Sequence, residues 1–367
     1  MPIFDVDYLA GIPAPLWLVL FLKVLGFVLH LVPMGLWAVA LPIGLVGATS
    51  LPESSGLGRF GRNILRQMPI LVALGVNFGI VPLLFIQTLY PKPFYTATVL
   101  IAWHWFVIIP LFLIAYYGVY VASFAVKPAA NSILRRALLP VGIVASVCFL
   151  AIGLLISNAM TLIVHIERWN DIFVRTQIAG AVSGLGSNMS DPSLLYRLLT
   201  MFALAVMTTG VWAMVDACLF AKGSRGANAS YRCWASRFAA ATAVVGAVIL
   251  WCVQMIPHAD YTQLFWVVAV VGTALLAGIV VVVIRSVYGV IALSVITTIY
   301  VALLTTFGII RQIGQHTAIV QTDGLANLTE HIQWTPVALF LVTFVLGVLC
   351  IVWMVRQLVL APPETAN

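Results

Sequence analysis

The stretch Trp17–Ile43, WLVLFLKVLGFVLHLVPMGLWAVALPI, carries one formal charge, Lys23. A run this long and apolar exceeds the ~20 residues a helix needs to cross a hydrocarbon core. Lipid leaves only helices and closed barrels as spanning structures, and a barrel strand alternates instead of running continuously apolar. Similar runs recur along the whole chain. They predict nine spans, at roughly 15–48, 67–90, 96–126, 137–166, 194–221, 237–257, 262–284, 287–310 and 335–359. The expected fold is an all-α, polytopic transmembrane helical bundle, one integral membrane domain over residues 1–367. With 63% hydrophobic and 8% charged residues, no segment reads as a soluble domain.

The few charges are sorted. Arg59, Arg62 and Arg66 follow the first span, Lys127, Arg135 and Arg136 the third, and Lys222, Arg225, Arg232 and Arg237 the fifth. With Arg285 and Arg356, 12 of the 18 Lys and Arg residues fall on one side. The positive-inside rule makes that side cytoplasmic, with the N-terminus outside and the C-terminus inside. The net charge of +7 is thereby a topology signal and gives no footprint for nucleic acid. The outer connections are mildly acidic, with Glu167, Asp171, Asp191, Asp323 and Glu330 among their carboxylates. That charge suits steering of a basic partner, though solvated loop charges need no partner. Lys23 is expected to snorkel toward the same outer side. The first fifteen residues hold no Lys or Arg and do not read as a signal peptide. Five cysteines occur without a C-x-x-C pair, which removes a redox dithiol and a covalent haem motif.

Among six histidines, His30 and His104 fall inside spans. A histidine at membrane depth faces a protein interior or a cofactor. Met34 follows His30 by one turn and shares its face. An iron porphyrin takes one or two axial ligands, commonly imidazole or thioether, so His30 and His104 are the candidate metal ligands. The competing reading of each is a hydrogen-bonded packing histidine. His165 ends a polar stripe with Asn158 and Thr161 at the close of the fourth span. His258, His316 and His331 are expected in outer loops. Asn77 and Gln87 in the second span are accounted for by interhelical hydrogen bonding. Asp216 is expected near the inner interface. No carboxylate is expected at mid-depth, which argues against proton-coupled transport, and phosphate loops and hydrolase motifs are missing.

FVLHLVPMGLWAVAL resembles the first helix of subunit I of the cytochrome bd oxidase superfamily, where the histidine ligates a haem. LGVNFGIVPLLFIQTLYPKPFYTAT resembles that family's second helix and outer turn, and ISNAMTLIVHIERW the end of its fourth. Nine spans with the N-terminus outside also match. The chain departs from the pattern elsewhere. The quinol-oxidising loop after span six is nearly missing, and Met201 stands where a haem-ligating histidine is expected. The methionine of the seventh helix has no counterpart. The Gly-Arg-Gln-Pro-Trp segment is reduced to GIIRQIGQH, leaving Arg311, with Gly308 in place of a ligating glutamate.

The resemblance implies a divergent member without quinol oxidation, in a bacterial inner membrane. Such a chain is a haem-binding electron-transfer subunit, with one or two haem b groups. It would exchange electrons with a c-type cytochrome on the outer face, alongside other respiratory subunits. His30 is then the axial ligand, His104 a second ligand or a polar group over the haem, and Met34, Asn77 and Arg311 belong to the cofactor pocket. The alternative is a haem-free anchor or scaffold subunit of a respiratory complex.

Overall fold

The computed structural model describes residues 11–220, 225–256, 264–286, 289–323 and 330–360. His258, Asp260 and most of the short connection between spans six and seven lie outside these residues. The described chain is helical almost throughout, as apolar segments must be to satisfy their backbone in lipid. Its helices are α1 (Leu16–Ser50), α2 (Gly56–Leu89), α3 (Pro91–Leu100), α4 (Ala102–Ala125), α5 (Ser132–Val164) and α6 (Trp169–Thr176). After a long connection come α7 (Pro192–Phe220), α8 (Arg225–Val253), α9 (Trp266–Ile284), α10 (Val290–Asp323) and α11 (Trp334–Leu360). All except α3 and α6 are long and apolar enough to cross a membrane, giving nine spans among the described residues.

Among the boundaries that differ from the sequence reading, three bear on the candidate residues or their supports. Helix α2 starts at Gly56, where Ser55 accepts a cap bond from the Gly58 amide at 3.0 Å. The third span breaks at Ile101, so α3 is a separate short helix and His104 lies in the first turn of α4. Loop residues fix that break: the Trp103 amide donates to Gly184 O at 3.1 Å, and the Gly186 amide to Leu100 O at 2.9 Å. Helix α10 continues to Asp323, which places Arg311 and His316 on a helix instead of in a loop.

Helix α1 is the centre of the bundle. It runs along α2 and also packs on α5, α7 and α10. Pro33 lacks an amide donor, and three residues later the helix widens into a π-turn at Leu36–Ala40 that lies against α7. One core joins α1 to α7–α10 through Phe27, Leu31, Met207 and Phe307. A second joins α1 to α2, α4 and α5 through Trp37, Leu65, Val119 and Phe149. Helix α11 stands apart, with only 6% of its apolar span buried and contacts near Leu18, Leu22 and Val337. Its start is tied to the start of α1, where Glu330 caps the Leu16 amide at 2.9 Å.

Candidate functional site

His30 lies on α1 where that helix crosses α2. Its Nδ1 is 2.7 Å from the Gly75 carbonyl oxygen. A carbonyl only accepts, so Nδ1 carries the proton and Nε2 keeps its lone pair. Nε2 makes no hydrogen bond among the described residues. Glycine is needed opposite the ring: a Cβ on Gly79 would lie 2.8 Å from both Cε1 and Nδ1 of His30. A Cβ on Gly75 would strike Trp37, whose ring meets the imidazole edge-on at 5.7 Å. An imidazole with one nitrogen fixed on a backbone carbonyl and the other open is the usual state of a metal-ligating histidine. The hydrogen bonding of His30 is compatible with an axial ligand and equally with a packing histidine. Among the described residues no group of three His, Cys, Asp or Glu side chains is placed to hold a bare metal ion. A porphyrin, which supplies four ligands of its own, is the metal group these residues could take.

The other candidates scatter around this point. Met34 is half-buried and packs into both cores. Asn77 is exposed and donates to Ala73 O on its own helix at 2.8 Å. Two residues beyond Gly75 it is turned some 200° round α2, so it does not line a pocket with His30. His104 makes no contact with His30 among the described residues, and its helix α4 packs mainly on α5 and α2. Its Nδ1 is buried without a hydrogen-bond partner. Arg311 lies nearest in chemistry, with its guanidinium carbon 4.3 Å from the centroid of Phe27, one turn before His30. It also lines a small cleft with Arg197, Thr200, Met201 and Phe307.

Compared with models of known families and with curated proteins, the chain matches none. What the site can do is read from its own residues.

Those residues include a cluster the sequence did not suggest. Lys23 does not snorkel. It is fully buried, with Nζ donating to Gln315 Oε1 at 2.9 Å and lying 4.8 Å from the centroid of the Tyr90 ring. Burial pushes the Tyr90 hydroxyl up to about 12, against a hydrogen bond from Gln312 that lowers it. The hydroxyl stays protonated and shares a hydrogen bond with His316 Nδ1 at 2.8 Å. Gln312, Gln315 and His316 recur at helical spacing, which is the sequence signal for this stripe once α10 is extended past Arg311.

Two further polar clusters lie elsewhere in the bundle. Asp216, expected near the interface, is 1% exposed and accepts from Asn63 Nδ2 at 2.8 Å, Gln67 Nε2 at 2.9 Å and the Tyr231 hydroxyl at 2.7 Å. At the opposite end of the bundle, Asn188 ties its loop to α5. Its amide donates to Asn158 Oδ1 at 2.9 Å, and its side chain to Thr161 and Asp191, both at 3.0 Å. His165 joins them, with Nδ1 2.8 Å from Glu167 and Nε2 3.5 Å from Asp191. Burial would raise the Asp191 carboxyl, but hydrogen bonds from Ser193 and Asn188 and the nearby His165 hold it below the usual carboxylate range.

Proposed function

We propose that this chain is a haem-binding electron-transfer subunit of the cytochrome bd oxidase type, with His30 as axial ligand. The observation that carries the reading is the His30 geometry: Nδ1 donates to Gly75 O, so Nε2 is held as a neutral, open ligand atom. A haem b bound there supplies one-electron transfer. The chain's own part is to orient the imidazole through the α2 backbone and to surround it with Trp37, Phe27 and Met34. Arg311, stacked on Phe27, brings positive charge to that side of α1. His104, on a helix that packs mainly on α5 and α2, is assigned to a second group, if two are bound.

The proposed orientation puts the N-terminus outside, in a bacterial inner membrane. The partner is a c-type cytochrome docking on the outer connections, where Glu167, Asp171 and Glu330 are exposed. A haem-free scaffold is the second reading, favoured by α11, whose nearly bare apolar length offers an assembly surface to other respiratory subunits.

The deciding experiment is an absorbance spectrum of the purified protein and of His30→Ala. The haem reading expects a b-type spectrum that is lost or shifted in the variant while the protein stays inserted. A folded His30→Ala chain with an unchanged spectrum removes His30 as ligand, and a parent chain with no haem favours the scaffold.

A further inference from the structure

Lys23 has 1% of its surface exposed. An ammonium taken so far from water costs several kcal/mol and is ordinarily met by a carboxylate. Among the described residues no carboxylate forms an ion pair with it: its partners are Gln315 Oε1 and the face of Tyr90. An ammonium carries three donors, so these contacts leave one unused. Beside it, Nε2 of Gln315 is buried with no hydrogen-bond partner, in a residue only 3% exposed. Arg311, one turn before Gln315 on α10, adds a second positive charge to the same side. Among the described residues no acid meets the Lys23 amine or the orphaned Gln315 donor, and buried donors of this kind are complementary to an anion.

We infer that Lys23 and Gln315, with Arg311 one turn away, form a binding site between α1 and α10 for one small anion, a carboxylate or a halide. Lys23 precedes His30 by seven residues, two turns along α1 and on nearly the same face. The carboxylate therefore has two sources. One is the acid side chain of a haem on His30, which rests on the function proposed above. The other is a small free anion from the aqueous phase, which does not.

The test is thermal unfolding of the whole purified chain at constant ionic strength, with bromide or acetate replacing a bulky sulfonate. Parent protein, His30→Ala, Lys23→Met and Gln315→Leu are compared. If a free anion fills the site, bromide and acetate raise the parent's Tm by about 2 °C at some tenfold excess over Kd, and both site variants lose the rise. If haem supplies the carboxylate, the parent does not respond, Lys23→Met and Gln315→Leu retain less haem, and His30→Ala restores the bromide response. A bromide response in a chain without haem supports the site and counts against the haem alone. The site is overturned by a response that survives both site variants. It is equally overturned if parent and His30→Ala both ignore bromide and acetate while haem content is unchanged by the site variants.

Discussion

Nδ1 of His30 donates to the Gly75 carbonyl oxygen across 2.7 Å, so one helix holds the imidazole of another by its backbone. That carbonyl is reachable because α1 and α2 approach closely over Gly75 and Gly79, four residues apart on one face of α2. The ring, the two glycines and Trp37 form one unit in which orientation and packing are the same interaction.

Gly79→Ala should break that unit. Its new Cβ would lie 2.8 Å from the His30 ring, which cannot retreat without losing the bond to Gly75. A cost of about 1–3 kcal/mol is expected from the overpacking. In a His30→Ala background the same substitution should cost much less, because the obstructing ring is gone. Thermal unfolding of the four chains of this double-mutant cycle measures the coupling. Additive costs would show that His30 and Gly79 do not press on each other.

The long apolar runs made the bundle legible, because a span has few ways to satisfy its backbone in lipid. His30 was legible for the same reason, as a nitrogen base at a depth where one must be explained. Lys23 was misread because chain depth alone cannot say whether a charge points along the helix to water or sideways to a neighbour. Its partners lie far off in sequence, with Gln315 in the stretch past residue 310 where the apolar pattern ends but the helix continues. Asn77 was misread more simply. It sits within the resembling segment but on the wrong side of α2 to meet His30, and hydrogen bonding to Ala73 makes it self-sufficient.

Asp216 should be the most sensitive acid in the chain. Replacing it with Ala takes the acceptor from the buried Tyr231 hydroxyl and from the part-buried amides of Asn63 and Gln67. An unsatisfied donor costs about 1–3 kcal/mol, so Asp216→Ala should lower Tm well beyond Tyr231→Phe, which removes a single donor. Equal losses in the two variants would mean that the amides find other partners.

The charge asymmetry predicts orientation. Arg59, Arg62, Lys127 and Arg225 lie in or beside connections on one side, the Asn188 loop on the other. Reporter fusions after Lys127 and Arg225 should read cytoplasmic, and one after Ser190 external. An external signal after Lys127 would invert the proposed docking face, since the exposed carboxylates Glu167 and Asp171 would then face the cytoplasm.

The Asn188 loop carries a pH dependence whose direction is fixed by Asp191. Its carboxyl titrates below the usual range in the folded chain, because hydrogen bonds from Ser193 and Asn188, with His165 beside it, outweigh the penalty of burial. An unfolded aspartate titrates near about 4. The stabilisation from Asp191 is thus full above about pH 4 and is lost as pH falls through the lower folded value, where the native carboxylate finally takes up its proton. Asp191→Asn keeps the shape and one acceptor but has no charge to lose. Between about pH 5 and 3 the parent's Tm should therefore fall more steeply than the variant's, while at neutral pH the variant is the less stable of the two. Parallel curves across that window would show that the carboxylate's charge contributes nothing to holding the loop on α5.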